Sequence, residues 1–144
     1  DDGALARLLL AASPEDPASR ARAGLMLAYE GDADAAEEHC TAALGSPALG
    51  SDAELCLAVV AARRGHDDEA LARIGGFLER MPARTQARQL LWYLLTKQQR
   101  RDEIRAWVRR LVPRVGLQPD MARALDYAEA TRRAVNPLLL PPKD

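Results

Sequence analysis

The sequence predicts an all-α chain built from antiparallel helix pairs. It has 144 residues, of which 48% are apolar, mostly Ala and Leu, and only 4% are aromatic. Ala, Leu, Arg and Glu favour helices, whereas the β-branched residues that favour strands are few. Gly31 and Gly65 lie 34 residues apart, and each is followed by acidic residues that favour the start of a helix. We therefore expect helices joined in pairs by glycine turns.

A period of 34 runs through three consecutive segments of the chain. Three sets of apolar residues recur at this spacing: Ala36, Ala70 and Ile104; Leu44, Leu78 and Val112; Ala43, Phe77 and Leu111. The third segment departs from the pattern, because Gln99 stands where the turn glycine belongs and Trp92 where a small residue belongs. We expect the two helices of this segment to lie further apart, or its turn to differ.

This pattern resembles the tetratricopeptide repeat, which has 34 residues and two helices per unit. The family's small residues, turn glycine, helix-end leucine and closing proline are matched in two segments. The matching residues are Gly24, Gly31, Ala36, Ala43, Leu44 and Pro47, and then Ala58, Gly65, Ala70, Leu78 and Pro82. The resemblance implies a right-handed superhelical solenoid of about eight helices, whose concave groove binds a protein or peptide.

The register of the repeat divides one predicted domain, residues 1–144, into repeats and fractions of repeats. Two full repeats are expected at 17–48 and 51–82, and a degenerate repeat at 85–116. The second helix of a preceding repeat is expected at 1–14 and a closing helix, capped by Asp120, at 119–135. An extended tail follows at 136–144. A chain that starts and stops in mid-repeat looks like a segment of a longer array. The alternative is a small protein with degenerate caps.

The resemblance also implies which residues would contact a partner. Family members bind peptides or partner helices at a few positions on the first helix of each pair. Carried over to this chain, those positions are Leu25, Tyr29, Leu55, Val59, Arg63, Gln89, Tyr93, Lys97, Arg123 and Tyr127. The later members of this set are tyrosines and cations, so we expect an acidic partner at the C-terminal half. Chaperone-binding members carry a cationic clamp that this chain lacks, so a chaperone co-factor role is not expected.

Charge is distributed unevenly along the chain. Residues 1–69 hold 14 acids and 5 bases, a net charge of −9, whereas residues 70–144 hold 7 acids and 15 bases, a net charge of +8. Arg101, Arg105 and Arg109 share one helix face, which we interpret as a solvated basic face on the convex side. The alternatives are a contact with an acidic protein, a polysaccharide, a phospholipid surface or RNA. Nucleic acid is not expected, because the stripe is short and the whole chain has a net charge of −1.

No catalytic, cofactor or metal site is predicted. His39 and Cys40 are neighbours on a helix and therefore point about 100° apart, and the acidic residues after His66 suit the first turn of a helix. Cys40 and Cys56 are interpreted as two buried thiols, with a disulfide in an oxidising compartment as the alternative. The compartment, periplasm or cytoplasm, therefore stays open. No apolar run approaches the roughly 20 residues of a membrane span.

We therefore expect a non-catalytic scaffold for protein–protein interaction from a bacterium. Long arrays of this family occur in secretion and exopolysaccharide-export assemblies, so that context follows from family analogy alone. The alternatives are a secretion chaperone for an exported subunit, or a regulatory module of an enzyme whose catalytic domain lies outside this chain. The sequence does not determine the oligomeric state.

Overall fold

The chain is all-helical in the part that the structure, a computed structural model, describes: residues 4, 5, 8, 17–45 and 50–134. Seven helices and no strand are found among these residues, which confirms the predicted all-α class. They are α1 (Pro17–Glu30), α2 (Ala33–Ala43), α3 (Gly50–Arg63), α4 (Asp67–Arg80), α5 (Thr85–Lys97), α6 (Arg101–Val115) and α7 (Pro119–Ala134).

Some predicted features lie largely or wholly outside the described residues. Of the helix expected in residues 1–14, Ala4, Leu5 and Leu8 are helical. Pro47 and the tail 136–144 lie outside the description. The described helices fall into two compact units, an N-terminal unit within residues 1–80 and a C-terminal unit within residues 81–144.

The core of the N-terminal unit consists mainly of alanine and other small side chains. Helix α1 packs against α2 and α3, and α3 packs against α4. A Cβ added at Gly24 on α1 would lie 2.3 Å from the Cys40 Sγ and 3.3 Å from the Ala36 carbonyl oxygen on α2. The two helices therefore approach closely at a point where a residue lacking a side chain faces small ones.

The two cysteines are joined, so their interpretation as free buried thiols is wrong. Cys40 on α2 and Cys56 on α3 form a disulfide with an S–S distance of 2.09 Å. Both residues are fully buried. The spacing of the two cysteines does not predict whether they form a disulfide, because the bond requires α2 and α3 to pack side by side.

The turn between paired helices has the same geometry in all three pairs. In each turn a backbone N–H donates a hydrogen bond to the carbonyl oxygen five residues earlier, with an N···O distance of 2.9 Å. The donors and acceptors are Asp32 and Leu27, His66 and Ala61, and Arg100 and Leu95. The preceding residue has a positive φ in each case: 110° at Gly31, 79° at Gly65 and 56° at Gln99. The third turn is therefore not altered by the loss of glycine, because Gln99 itself adopts the left-handed conformation.

The C-terminal unit has a core of larger side chains where α5, α6 and α7 pack together. Trp92 and Ile104, the bulky pair that replaces two small residues of the repeat, are both buried. The core also contains Leu91, Leu94, Leu95, Val108, Leu111, Met121 and Ala128. The bulkier residues fit into a core shared by the three helices, two of which, α5 and α7, form the candidate site.

Candidate functional site

A cleft of about 510 Å³ lies in the C-terminal unit, between α5 and α7. It is lined by Gln89, Trp92, Tyr93, Thr96, Lys97, Asp120, Arg123, Ala124 and Tyr127. The α5 residues Gln89, Tyr93 and Lys97 are four apart, as are the α7 residues Arg123 and Tyr127. Positions four apart share a helix face, so each helix contributes one stripe to the cleft.

Five residues predicted to contact a partner line this cleft. Gln89, Tyr93, Lys97, Arg123 and Tyr127 are the members of the predicted set that belong to the C-terminal unit. The family resemblance implied these positions, and their spacing of four places them on helix faces. The structure brings the two faces together, which sequence spacing by itself does not specify.

Two tyrosines with adjacent cations form the walls of the cleft. Tyr93 is 58% exposed, and the Lys97 Nζ lies 5.9 Å from its ring centroid. Tyr127 is half-buried and its hydroxyl donates to the Thr96 carbonyl oxygen at 3.4 Å. The Arg101 guanidinium lies 5.9 Å from the Tyr127 ring centroid. Tyr127 is thus held from two sides, whereas most of Tyr93 faces solvent.

The Asp120 carboxylate forms part of the cleft floor and is buried in an ion pair with Arg88. The Arg88 Nε and Nη2 each donate to an Asp120 oxygen at 2.9 Å, and the Trp92 Nε1 donates to the Asp120 Oδ2 at 2.8 Å. Arg88 also donates to the Pro82 carbonyl at 2.8 Å. These bonds link α5 to the first turn of α7 and satisfy both buried charged groups.

Two opposing effects act on the pKa of Asp120. Burial raises the pKa of this carboxyl, but the hydrogen bonds from Arg88 and Trp92 and the Arg88 charge outweigh burial. The net result is a pKa below the ordinary value of 3.8. Asp120 is therefore ionised near neutral pH, and Arg88 balances its charge.

The remaining ionisable side chains in the cleft, apart from the tyrosines, are cations. Lys97 and Arg123 are both exposed. Among the described residues, Arg123 has no ion-pair or hydrogen-bond partner. The cleft thus combines aromatic surface with exposed positive charge, an arrangement that can bind carboxylates next to apolar or aromatic groups.

The other predicted partner-contact residues belong to the N-terminal unit, where all but the exposed Arg63 are buried or half-buried. Leu25, Leu55 and Val59 are buried in its core, at 8%, 0% and 4% exposure. Tyr29 is half-buried. Arg63 donates through its Nε to the Ala28 carbonyl oxygen at 3.0 Å, and through its Nη2 to that of Tyr29. In this unit the structure gives these residues packing and helix-end contacts.

The predicted basic face is divided in the structure. Arg105 is 13% exposed at its side chain and forms ion pairs with Asp102 and, at 3.7 Å, with Glu129 on α7. Arg101 lies over the Tyr127 ring, whereas Arg109 is exposed. The three arginines do not form one solvated stripe, because α7 packs beside α6 and covers part of that face.

Sequence reasoning missed the Arg88 part of the site. Asp120 was predicted only as the cap of the closing helix, which is wrong, because α7 already begins at the preceding residue and the Asp120 carboxylate bonds to Arg88 and Trp92. No short motif links two residues 32 positions apart. The available signal was the position of Arg88 on the apolar face of α5, next to Ala87 and one turn before Leu91 and Trp92. A charged residue on a buried face requires a partner.

No family model matches the chain, and no curated protein or solved structure matches it either. Within residues 17–45 and 50–134, together with residues 4, 5 and 8, no group of three or more His, Cys, Asp or Glu could hold a metal ion. Over the same residues, no helix combines the length and apolarity needed to cross a membrane. The cleft between α5 and α7 therefore provides the main basis for a functional proposal.

Proposed function

We propose that this chain is a non-catalytic scaffold that binds an acidic peptide segment of a partner protein in the cleft between α5 and α7. The observation that supports this most directly is the combination of Tyr93 and Tyr127 with the cations Lys97 and Arg123 around one cleft. Tyrosine and arginine are enriched among the residues that dominate protein interfaces. A cleft of about 510 Å³ is large enough for a few peptide side chains.

Apolar contact is the first contribution to binding. Tyr93 leaves 58% of its surface exposed beside Trp92, Ala124 and Tyr127. A peptide that covers this ring removes apolar surface from water, at about 25 cal/mol per Å² before the cost of ordering the peptide. An aromatic or aliphatic peptide side chain is therefore expected against Tyr93.

Charge is the second contribution, and it selects the kind of peptide. The exposed charged residues of the cleft are Lys97 and Arg123, and Arg88 balances the buried Asp120. A carboxylate can accept charge-assisted hydrogen bonds from either cation. A basic peptide would meet like charge, so acidic segments are favoured.

Preorganisation is the third contribution. The Arg88–Asp120–Trp92 network ties α7 to α5 at the floor of the cleft, and Tyr127 is tied to the Thr96 carbonyl. A cleft in which one wall and the helix pairing are already fixed loses less conformational freedom when a peptide binds.

The tetratricopeptide-repeat resemblance and its right-handed solenoid remain part of the proposal. The recurrence of the same turn hydrogen bond at Asp32, His66 and Arg100 supports a repeat of helix pairs. A bacterial secretion or exopolysaccharide-export assembly remains the context expected from that resemblance.

The proposal is tested by selecting peptides from a displayed random library against the intact chain. Selected peptides should be rich in Asp and Glu near an aromatic or aliphatic residue. The variant Tyr93→Ala with Lys97→Ala should bind them at least about tenfold more weakly, because it removes one aromatic and one cationic contact. Fluorescence polarisation with the labelled peptides measures the affinity.

Arg109→Gln is the matched control, because it removes one exposed positive charge on α6 outside the cleft. This variant should bind the selected peptides as the unchanged chain does. Thermal unfolding should show that the cleft variant remains folded, since Tyr93 and Lys97 are exposed. Equal binding by the cleft variant and the unchanged chain would refute the proposal.

A further inference from the structure

We propose that the Cys40–Cys56 disulfide, and not apolar burial, holds α2 in the N-terminal unit, so that this chain matures and works in an oxidising compartment. The bond joins α2 to α3 across a sequence separation of 16 residues. This inference does not depend on the cleft, which lies in the other unit.

Helix α2 has a small apolar face compared with the corresponding helices of the other two pairs. It buries Ala36, Cys40 and Ala43. At the same positions of the 34-residue period, α4 buries Ala70, Ile74 and Phe77, and α6 buries Ile104, Val108 and Leu111. Buried area sets the hydrophobic stabilisation of a helix, so α2 gains least from packing.

The disulfide occurs at the register position where the other two helices place a β-branched core residue. Cys40 corresponds to Ile74 on α4 and to Val108 on α6. A covalent link to α3 restricts α2 in the unfolded chain and compensates for the missing apolar area. Without the link, α2 would be an 11-residue helix with three small buried side chains, and isolated helices of that length are marginal in water.

The bond is enclosed by the fold. Both cysteines are fully buried, and the Cys40 Sγ lies directly beneath Gly24 on α1. A reductant therefore reaches the bond only when α1, α2 or α3 opens. A structural role fits this burial better than a rapidly reversible switch.

Formation of the bond requires a disulfide donor. The thiols of Cys40 and Cys56 release two protons and transfer two electrons to the disulfide of a protein or small-molecule oxidant, which leaves as two thiols. Oxidising compartments supply such donors, whereas reducing compartments maintain free thiols.

The test uses the full chain, purified without reductant and divided into untreated and reduced samples. In denaturant, iodoacetamide should label no cysteine of the untreated sample and two cysteines of the reduced sample, as read by intact mass. Hydrogen exchange followed by mass spectrometry should show α2 amides exchanging at least about tenfold faster after reduction. Amides of α5–α7 serve as the internal control and should not change.

Two further measurements complete the test. The variant Cys40→Val with Cys56→Ala fills the site with apolar atoms, so its exchange should not respond to reductant. Iodoacetamide added together with denaturant during lysis of the native source cells should label neither cysteine, because denaturant exposes buried thiols to the reagent. Free thiols in those cells, or equal α2 protection with and without reductant, would overturn the proposal.

Discussion

Gly24 shows how a single absent side chain sets the distance between two helices. The Cys40 Sγ occupies the space that a Cβ at position 24 would need. Gly76 on α4 is a helical glycine whose hypothetical Cβ would meet no atom within 4 Å beyond its chain neighbours and the adjacent backbone of its own helix. Both glycines lie on helices of the N-terminal unit, but of the two only Gly24 is needed for close packing against a neighbouring helix.

Alanine substitutions at Gly24 and Gly76 should therefore change the free energy of unfolding in opposite directions. Gly24→Ala should lower the free energy of unfolding by about 1–3 kcal/mol, because helix α1 must move away from Cys40. Gly76→Ala should raise it by about 0.4–1 kcal/mol, because alanine restricts the unfolded chain. Urea denaturation of the disulfide-bonded protein measures both changes. Equal effects at the two positions would mean that the close approach at Gly24 is absent.

Gln99 shows that backbone hydrogen bonds can outweigh the conformational preference of a non-glycine residue for negative φ. A non-glycine residue in the left-handed region is disfavoured by roughly 1–2 kcal/mol. Gln99 nevertheless has a φ of 56°, and the following Arg100 N–H completes the helix-end bond to Leu95. The bonds that end α5 therefore compensate for the strain, and the period of 34 persists without its glycine.

At the scale of elements, the ion pair between Arg88 and Asp120 holds α5 and α7 together. Both side chains are nearly fully buried, and Trp92 donates a third hydrogen bond to the carboxylate. Removal of one partner leaves a buried charge without compensation. The pair is therefore more sensitive to mutation than the exposed ion pairs of the chain.

Asp120→Asn should lower the free energy of unfolding at neutral pH by about 3–5 kcal/mol. The folded pKa of Asp120 is depressed, so its stabilisation is complete above the ordinary value of 3.8 and is lost as the pH falls through the lowered pKa. The free energy of unfolding of the variant should therefore fall less between neutral and acidic pH than that of the unchanged chain. Urea denaturation at several pH values between neutral and acidic measures both effects.

Asp126→Asn provides the control, because Asp126 is an exposed carboxylate on the same helix. Its free energy of unfolding should stay within about 0.5 kcal/mol of the unchanged chain. A similar small loss for Asp120→Asn would show that the buried ion pair contributes little to the packing of α7.

At the scale of the whole molecule, the two halves of the sequence carry opposite charge. Residues 1–69 have a net charge of −9 and residues 70–144 a net charge of +8. The candidate cleft belongs to the basic half and exposes Lys97 and Arg123. The field of this half should therefore accelerate encounter with an acidic peptide.

Salt should consequently weaken binding of the selected acidic peptides. Raising ionic strength from about 0.01 M to about 0.15 M shortens the Debye length from about 30 Å to about 8 Å, so the association rate should fall several-fold. Peptides in which Gln replaces each Glu should show little salt dependence. Stopped-flow fluorescence measures the rates, and equal salt dependence for the two peptide sets would exclude electrostatic steering.

The sequence by itself determined the all-α class, the helix pairs and the positions of their turns. These features depend on residues close in the chain, through helix propensity, the period of 34 and the backbone bonds that end each helix. The spacing of four puts Gln89, Tyr93 and Lys97 on one helix face and Arg123 and Tyr127 on another, whereas only the family resemblance implied that these faces contact a partner.

Only the tertiary structure decided which faces meet. The Cys40–Cys56 bond, the Arg88–Asp120 ion pair and the cleft between α5 and α7 all join residues on different helices. The same packing buries Leu25, Leu55 and Val59, and turns Arg105 toward Glu129. Such contacts depend on the packing of whole helices, and helical periodicity along one segment does not specify the face of the next.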